Sequence, residues 1–137
     1  MNEQALVGAV VVTHGRLGEE LVASARMIVG QADHVLSVAI DWDPDTSAAK
    51  RQIQQAVEGA DRGAGVIILT DMFGGTPSNV SLSFLKKGRV EIVSGVNLPM
   101  VVKVASQTEG EDLGRLVARV RDQGIKQITV AGELLGE

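Results

Sequence analysis

The sequence has no cysteine and very few aromatic residues, and both absences restrict what the chain can be. Without cysteine, the chain has no disulfide framework, no thiol nucleophile and no zinc site that needs thiolates. Aromatic residues make up 2% of the chain, against 45% for all hydrophobic residues, so Val, Ile, Leu, Ala and Met must form the core. This composition favours an aliphatic sheet covered by helices.

The sequence also lacks an excess of positive charge and a long hydrophobic segment. Its formal net charge at pH 7 is -4, which offers no basic surface to nucleic acid or to an anionic membrane. Residues 1–4 carry no positive charge ahead of the first apolar run, and that run is too short to span a bilayer. We therefore expect a cytoplasmic chain that neither binds nucleic acid nor inserts into a membrane.

Short aliphatic runs alternate with longer segments of helical period along the chain. The predicted strands are residues 6–13, 35–40, 66–70, 90–94 and 125–131, and the predicted helices are residues 17–29, 47–60, 77–87, 98–105 and 111–123. This alternation predicts right-handed crossovers and a mostly parallel sheet. No linker or repeat divides the sequence, so we predict one α/β domain over residues 1–137, a three-layer α/β/α open sheet.

Several residues are interpreted as having no chemical role. His34 stands at the start of the second strand, at the end of the sheet away from the predicted crevice, and is expected to be an exposed strand-edge histidine. Four glycines follow helical segments and are expected to end helices in a left-handed conformation: Gly30, Gly63, Gly88 and Gly124.

The most informative polar residues follow the first and third predicted strands. In an open parallel sheet, ligands bind beyond the carboxyl ends of strands whose connections leave to opposite faces. With the common strand order 2-1-3-4, His14 and Asp71 would face each other across that crevice. One ring nitrogen of the imidazole could then carry a phosphoryl group while the carboxylate holds the proton on the other. A histidine or aspartate at a strand end is also common as a solvated turn residue or a helix cap.

The loop after the third strand has features of an anion-binding site. Thr76 followed by Pro77 predicts a helix N-cap and its first helical residue. The free N–H groups of that helix start, the flexible Gly74 and Gly75 backbone and the Thr76 hydroxyl would bind phosphoryl oxygens. Gly15 gives the loop after the first strand similar freedom.

The same loops carry a specific resemblance to a known family. The chain resembles the A domain (EIIA) of mannose-type sugar phosphotransferase systems in three segments: VVTHGRLG at 11–18, LTDMFGGTPSN at 69–79 and SGVNLPM at 94–100. The resemblance implies that His14 accepts a phosphoryl group from the phosphocarrier protein HPr and donates it to a histidine of the B component, EIIB. It also implies that Asp71 orients the imidazole and that Thr76, after the glycine pair, contacts the phosphoryl group.

The resemblance extends to assembly and partners. Members of the family are dimers in which the last strand, here 125–131 as an antiparallel edge strand, can cross to the partner subunit. The sequence ends soon after that segment with no B domain behind it, so we expect EIIB to be a separate protein or absent. Five residues near the predicted crevice are candidates for partner docking: Arg16, Met72, Phe73, Asn97 and Pro99. We expect no metal and no cofactor.

Three alternatives remain open at this point. Phosphorylation of His14 could gate binding to a regulator without sugar transport. The chain could instead be a phosphoryl donor subunit for dihydroxyacetone kinase, which is similar in fold and uses a comparable histidine. A metal-dependent hydrolase that uses His14 and Asp71 as ligands is the weakest alternative, since no second histidine joins the predicted crevice.

Overall fold

A computed structural model describes residues 5–41 and 45–136 of the chain. Residues 1–4, 42–44 and 137 lie outside the described residues. The lack of positive charge at residues 1–4 is therefore an observation on the sequence alone. The strands are β1 Gly8–His14, β2 Val35–Ile40, β3 Val66–Thr70 and β4 Val90–Ser94. The helices are α1 Leu17–Val29, α2 Ser47–Ala60, α3 Thr76–Leu82, α4 Leu98–Ala105, α5 Leu113–Lys126 and α6 Ala131–Leu134.

The four strands form one parallel sheet in the order β2-β1-β3-β4, which confirms the predicted order. β1 pairs with β2 on one side, as far as His14 opposite Ile40, and with β3 on the other, as far as Val12 opposite Thr70. The chain leaves β1 towards β2 and leaves β3 towards β4. The carboxyl ends of β1 and β3 therefore border the crevice at which such sheets bind ligands.

Helices cover both faces of the sheet, so the fold has the predicted three layers. Ala9 and Val11 of β1 belong to the core under α1, α4 and α5, while Val10 and Val12 belong to the core under α2 and α3. Successive residues of a strand point to opposite faces, and here both faces are apolar. The continuously aliphatic runs of β1 and β3 are fully buried for this reason.

Two helices differ from their predicted extents. α3 begins at Thr76 with Gly75 as its N-cap, one residue earlier than predicted, and it ends at Leu82 because the chain turns before β4. α5 continues through Gly124 to Lys126. Gly124 was expected to end this helix, and that prediction is wrong. A Cβ atom there would lie 2.6 Å from the side chain of Met100, so the glycine lets α4 and α5 approach closely.

The predicted strand over residues 125–131 is also wrong. Its first residues belong to α5, residues 127–130 have no regular structure, and α6 begins at Ala131. A strand is stabilised by hydrogen bonds to a neighbouring strand, and this segment pairs with none of the described strands. The apolar side chains of Ile128 and Val130 are exposed.

His34 is buried, contrary to the prediction of an exposed histidine. Its side chain is only 5% exposed, and its Nε2 atom donates a hydrogen bond to the carbonyl oxygen of Val104 in α4 at 2.9 Å. The same carbonyl accepts a bond from the amide of Gln107, which also pairs with the main chain of Val7. The sequence around His34 did not indicate that the end of α4 covers it. Here the histidine joins the starts of β1 and β2 to the end of α4.

No helix in the described part of the chain combines the length and the apolar character needed to cross a membrane.

Candidate functional site

The structure brings His14 and Asp71 together at the carboxyl edge of the sheet. His14 is the last residue of β1, and Asp71 directly follows β3. The Oδ2 atom of Asp71 accepts a hydrogen bond from the backbone N–H of His14 at 2.9 Å and lies 2.8 Å from the ring Nδ1. Because an ionised carboxylate only accepts hydrogen bonds, the proton of the neutral ring lies on Nδ1. Nε2 then has a free lone pair.

The carboxylate of Asp71 is held on both of its oxygens. Oδ1 accepts the backbone N–H of Met72 at 2.9 Å, and the side chain is 12% exposed. Burial acts to raise the pKa of Asp71, but the hydrogen bonds from the His14 backbone and ring, the attraction of the ring and the Met72 N–H outweigh it and lower the pKa. Asp71 is therefore a fixed negative charge beside the imidazole at neutral pH.

Gly75 supports the other side of the imidazole ring. A Cβ atom at residue 75 would lie 3.0 Å from Cε1 and 3.4 Å from Nε2 of His14. The backbone of Gly75 is extended, with φ -84° and ψ 174°, so other residues could adopt its conformation. The absence of a side chain, and not a special backbone shape, is what the ring requires here. The His14 side chain is 53% exposed, and a second macromolecule can therefore reach it.

The two neighbouring glycines, Gly15 after His14 and Gly74 before Gly75, have a different role from Gly75. Gly15 and Gly74 have φ values of 54° and 92°, which side chains rarely tolerate. The carbonyl of Gly74 also accepts a long bond from the amide of Asn79 at 3.3 Å. These two residues let the loops after β1 and β3 turn sharply beside His14.

Thr76 lies next to Gly75, as the exposed first residue of α3. The first N–H groups of any α-helix lack partners within the helix, and α3 begins beside the ring. The predicted phosphoryl-binding residues Gly15, Gly74, Gly75 and Thr76 thus lie in the two loops that surround His14. Their proposed contact with a phosphoryl group stays a prediction.

Three of the predicted docking residues are exposed beside His14. Met72 and Phe73 follow Asp71, and Phe73 is 76% exposed. The sequence left open whether Met72 and Phe73 lie in the core or form an exposed apolar lip. The structure shows that they form the lip. Arg16 is also exposed, and its guanidinium lies 3.6 Å from Glu19 and 3.8 Å from Glu20 in its own helix.

Asn97 and Pro99 have structural contacts that the sequence did not indicate. The side chain of Asn97 accepts a hydrogen bond from the N–H of Met100 and donates one to the carbonyl of Gly124. It therefore caps α4 and joins α4 to α5. Pro99 is the second residue of α4 and is partly buried. A docking role for either residue remains a prediction.

Sequence reasoning missed Thr13, which precedes His14 in β1. Its hydroxyl oxygen accepts a hydrogen bond from the N–H of Gly18 at 2.7 Å, and the side chain is fully buried. The available signal was a hydroxyl residue at the end of an otherwise aliphatic run. Strand propensity alone does not distinguish a threonine that only packs in a strand from one whose hydroxyl also accepts a hydrogen bond from the following helix.

The described residues contain no group of three or more His, Cys, Asp or Glu side chains placed to hold a metal ion. His14 and Asp71 contact each other directly.

Comparisons with known proteins identify relatives along most of the chain. The profile of the family EIIA-man, described as PTS system fructose IIA component, matches residues 8–121. The fructose-specific EIIA component of Bacillus subtilis is 27% identical over 131 residues, which cover 95% of this chain and 90% of the relative. The mannose-specific EIIAB component of Escherichia coli is 28% identical over 129 residues, which cover 89% of this chain but 39% of that protein.

Solved structures agree with the sequence comparisons. The mannose/sorbose specific IIA subunit from Enterococcus faecalis is 26% identical and superposes with a TM-score of 0.80. The superposition covers 92% of this chain and 95% of that subunit.

Replacing Asp71 by Asn is expected to lower the free energy of unfolding at neutral pH by about 1.5–3 kcal/mol, the range for hydrogen bonds to charged groups. Asparagine has an NH₂ donor in place of one carboxylate oxygen, so it cannot accept the Met72 N–H on one side-chain atom and the His14 N–H on the other. Because the pKa of Asp71 is lowered on folding, the wild type is more stable than Asp71→Asn by the full amount above the unfolded-state pKa of the carboxyl group. This difference is lost as the pH falls through the folded-state pKa.

Denaturant unfolding of both proteins over a series of pH values measures this difference. Asp122→Asn is the control, because Asp122 is exposed and forms a surface ion pair with Arg121. A stability gap between the wild type and Asp71→Asn that persists unchanged from neutral pH to strong acid would contradict the account.

Proposed function

The chain belongs to the EIIA-man family of sugar phosphotransferase systems, and from this membership we propose that it is a phosphoryl carrier. In this proposal His14 accepts a phosphoryl group from phosphorylated HPr and passes it to an EIIB component. The observation that carries the proposal is the bond between Nδ1 of His14 and Asp71, which leaves Nε2 as the nucleophilic nitrogen.

The proposed transfer moves one phosphoryl group between two nitrogen atoms. The lone pair of Nε2 attacks the phosphorus of the donor's phosphohistidine, and the bond from that phosphorus to the donor nitrogen breaks. The donor ring leaves with the electron pair. The His14 ring keeps its proton on Nδ1 and becomes a cation, which the carboxylate of Asp71 stabilises at 2.8 Å. The reverse sequence of bond changes delivers the phosphoryl group to EIIB.

We assign the phosphoryl oxygens to the backbone and hydroxyl groups around Gly75. The closeness of Gly75 to the ring supports this assignment, because a Cβ atom at this N-cap residue of α3 would lie 3.4 Å from Nε2. Thr76 would supply its hydroxyl, and the turns at Gly15 and Gly74 would leave room for the phosphoryl group beside the start of α3. Asp71 does not remove a proton in this scheme, since Nδ1 stays protonated throughout.

The exposed lip of Met72 and Phe73 is the proposed contact surface for HPr and EIIB. Both side chains are largely exposed beside His14, and exposed apolar groups next to a reactive atom are suited to transient docking. The relative from B. subtilis is named as an EIIA component alone, whereas the one from E. coli is named EIIAB. In either arrangement the proposed acceptor is EIIB, and we propose that the transfer takes place in the cytoplasm.

The proposed function is tested by transfer of labelled phosphate from phosphoenolpyruvate through enzyme I and HPr. The wild type is expected to become labelled and His14→Ala to stay unlabelled. His34→Gln is the matched control, because His34 is buried with Nε2 bonded to Val104 and glutamine can keep that donor. Labelling of His14→Ala to the wild-type level would refute the proposed function.

The same assay tests the role of Asp71. Asp71→Asn keeps the shape of the side chain but removes the charge that stabilises the cationic ring, so labelling is expected to slow by about 10–100-fold. A labelling rate equal to that of the wild type would show that Asp71 does not stabilise the transfer step.

We also propose that the chain forms a homodimer through its carboxyl-terminal apolar surface. This surface consists of exposed side chains that no described residue covers: Ile125, Ile128, Val130, Leu134 and Leu135. Several exposed apolar residues in one short segment are typical of a protein contact surface.

Sedimentation analysis of the wild type is expected to show a dimer, and the double variant Ile128→Asp, Val130→Asp is expected to be a monomer. The double variant Met27→Asp, Ile28→Asp is the control, since it places the same charges on exposed apolar residues of α1. A monomeric wild type, or equal dissociation of both variants, would contradict this assignment.

A further inference from the structure

The side chain of Thr13 in β1 forms a hydrogen bond that anchors the backbone around His14. Only Gly15 and Arg16 separate β1 from α1. Arg16 occupies the N-cap position of α1 but makes no side-chain capping bond. The N–H of Gly18, in the first turn of α1, instead donates to the hydroxyl of Thr13 in β1 at 2.7 Å. Thr13 thus performs the capping role that the residue at the helix start leaves unfilled.

This hydrogen bond is buried and sterically fitted. Thr13 is fully buried, and Gly18 is buried as well. A Cβ atom at residue 18 would lie 3.0 Å from the carbonyl oxygen of Val11 and 3.1 Å from the hydroxyl of Thr13. A glycine at this position therefore lets the start of α1 press against β1. Without the hydroxyl, the N–H of Gly18 would be left buried and unsatisfied.

The Thr13 bond closes a loop around His14. Residues 13 and 18 are joined through the side chain, and His14 lies between them next to the strand. On the other side of the loop, the N–H of Gly15 donates to the carbonyl of Ile40 at 3.1 Å. These two bonds fix the backbone on both sides of His14. That backbone in turn aims both the main-chain N–H and the ring Nδ1 of His14 at the same oxygen of Asp71.

We propose that Thr13 is a positioning residue for phosphoryl transfer, because its hydroxyl caps α1 from within β1 and so holds His14 in register with Asp71. The inference rests on the proposed function of His14 and adds to it the residue that sets the orientation of the ring. A small displacement of the His14 backbone would lengthen the Nδ1–Asp71 contact. The ring would then be free to move its proton from Nδ1 to Nε2, which blocks the nucleophilic nitrogen.

Thr13→Val tests the proposal, since valine keeps the β-branching and strand preference of threonine and carries a methyl group in place of the hydroxyl. Nitrogen NMR of the unphosphorylated protein at alkaline pH, where imidazoles are neutral, reports which ring nitrogen of His14 carries the proton. We expect wild-type His14 to be protonated on Nδ1, and Thr13→Val to show a substantial fraction protonated on Nε2. Labelling through HPr is expected to slow about tenfold in this variant, which corresponds to about 1.4 kcal/mol.

Two further variants separate positioning from stability. Thr13→Ser keeps the hydroxyl and is expected to restore both the Nδ1–H signal and the labelling rate. Asp112→Ala removes the side-chain cap of α5, where Asp112 accepts from the N–H of Arg115 at 3.1 Å. It should lower stability without changing the His14 ring. If Thr13→Val does not fold, Thr13→Ala serves in its place, because a water molecule can then satisfy the N–H of Gly18.

A folded Thr13→Val or Thr13→Ala protein with wild-type ring protonation and wild-type labelling would overturn the proposal, whatever its stability. The NMR comparison does not depend on phosphoryl transfer. A wild type that takes no label would therefore refute the proposed function, while the ring protonation would still decide the role of Thr13.

Discussion

A single carboxylate oxygen fixes the imidazole of His14 at the edge of the sheet. Oδ2 of Asp71 accepts hydrogen bonds from both the backbone N–H and the ring Nδ1–H of His14. These two bonds join the ends of β1 and β3, and they exist only because the sheet places these strands side by side. Oδ1 is held by the N–H of Met72, so the carboxylate cannot turn away. The position of the proton on the neutral ring, and therefore the identity of the nitrogen with a free lone pair, follows from this arrangement.

Much of this arrangement could be predicted from the sequence because it depends on strong, local patterns. The continuous apolar runs of β1 and β3 predict central strands, and the alternation with helices predicts a parallel sheet. The common strand order then places the residues after β1 and β3 at one crevice. The pairing of His14 with Asp71 followed from that order, and the structure gives the contact its distance of 2.8 Å.

The remaining features depend on contacts between residues distant in sequence or on packing that leaves no local pattern. His34 is buried because the end of α4 covers it, 70 residues further along the chain. Gly75 and Gly124 are needed for the space they leave to His14 and Met100, yet a sequence shows only that they are glycines. The segment 125–131 has the composition of a strand, but a strand needs a neighbour, and none of the described strands pairs with it.

In the proposed mechanism, Asp71 keeps Nδ1 protonated and leaves Nε2 to carry the phosphoryl group. The most direct test is nitrogen NMR of the phosphorylated protein, in which coupling to phosphorus identifies the phosphorylated ring nitrogen of His14. The account predicts phosphorus on Nε2 and a proton on Nδ1. Phosphorus on Nδ1 would require the bond to Asp71 to break during transfer, and would contradict the account.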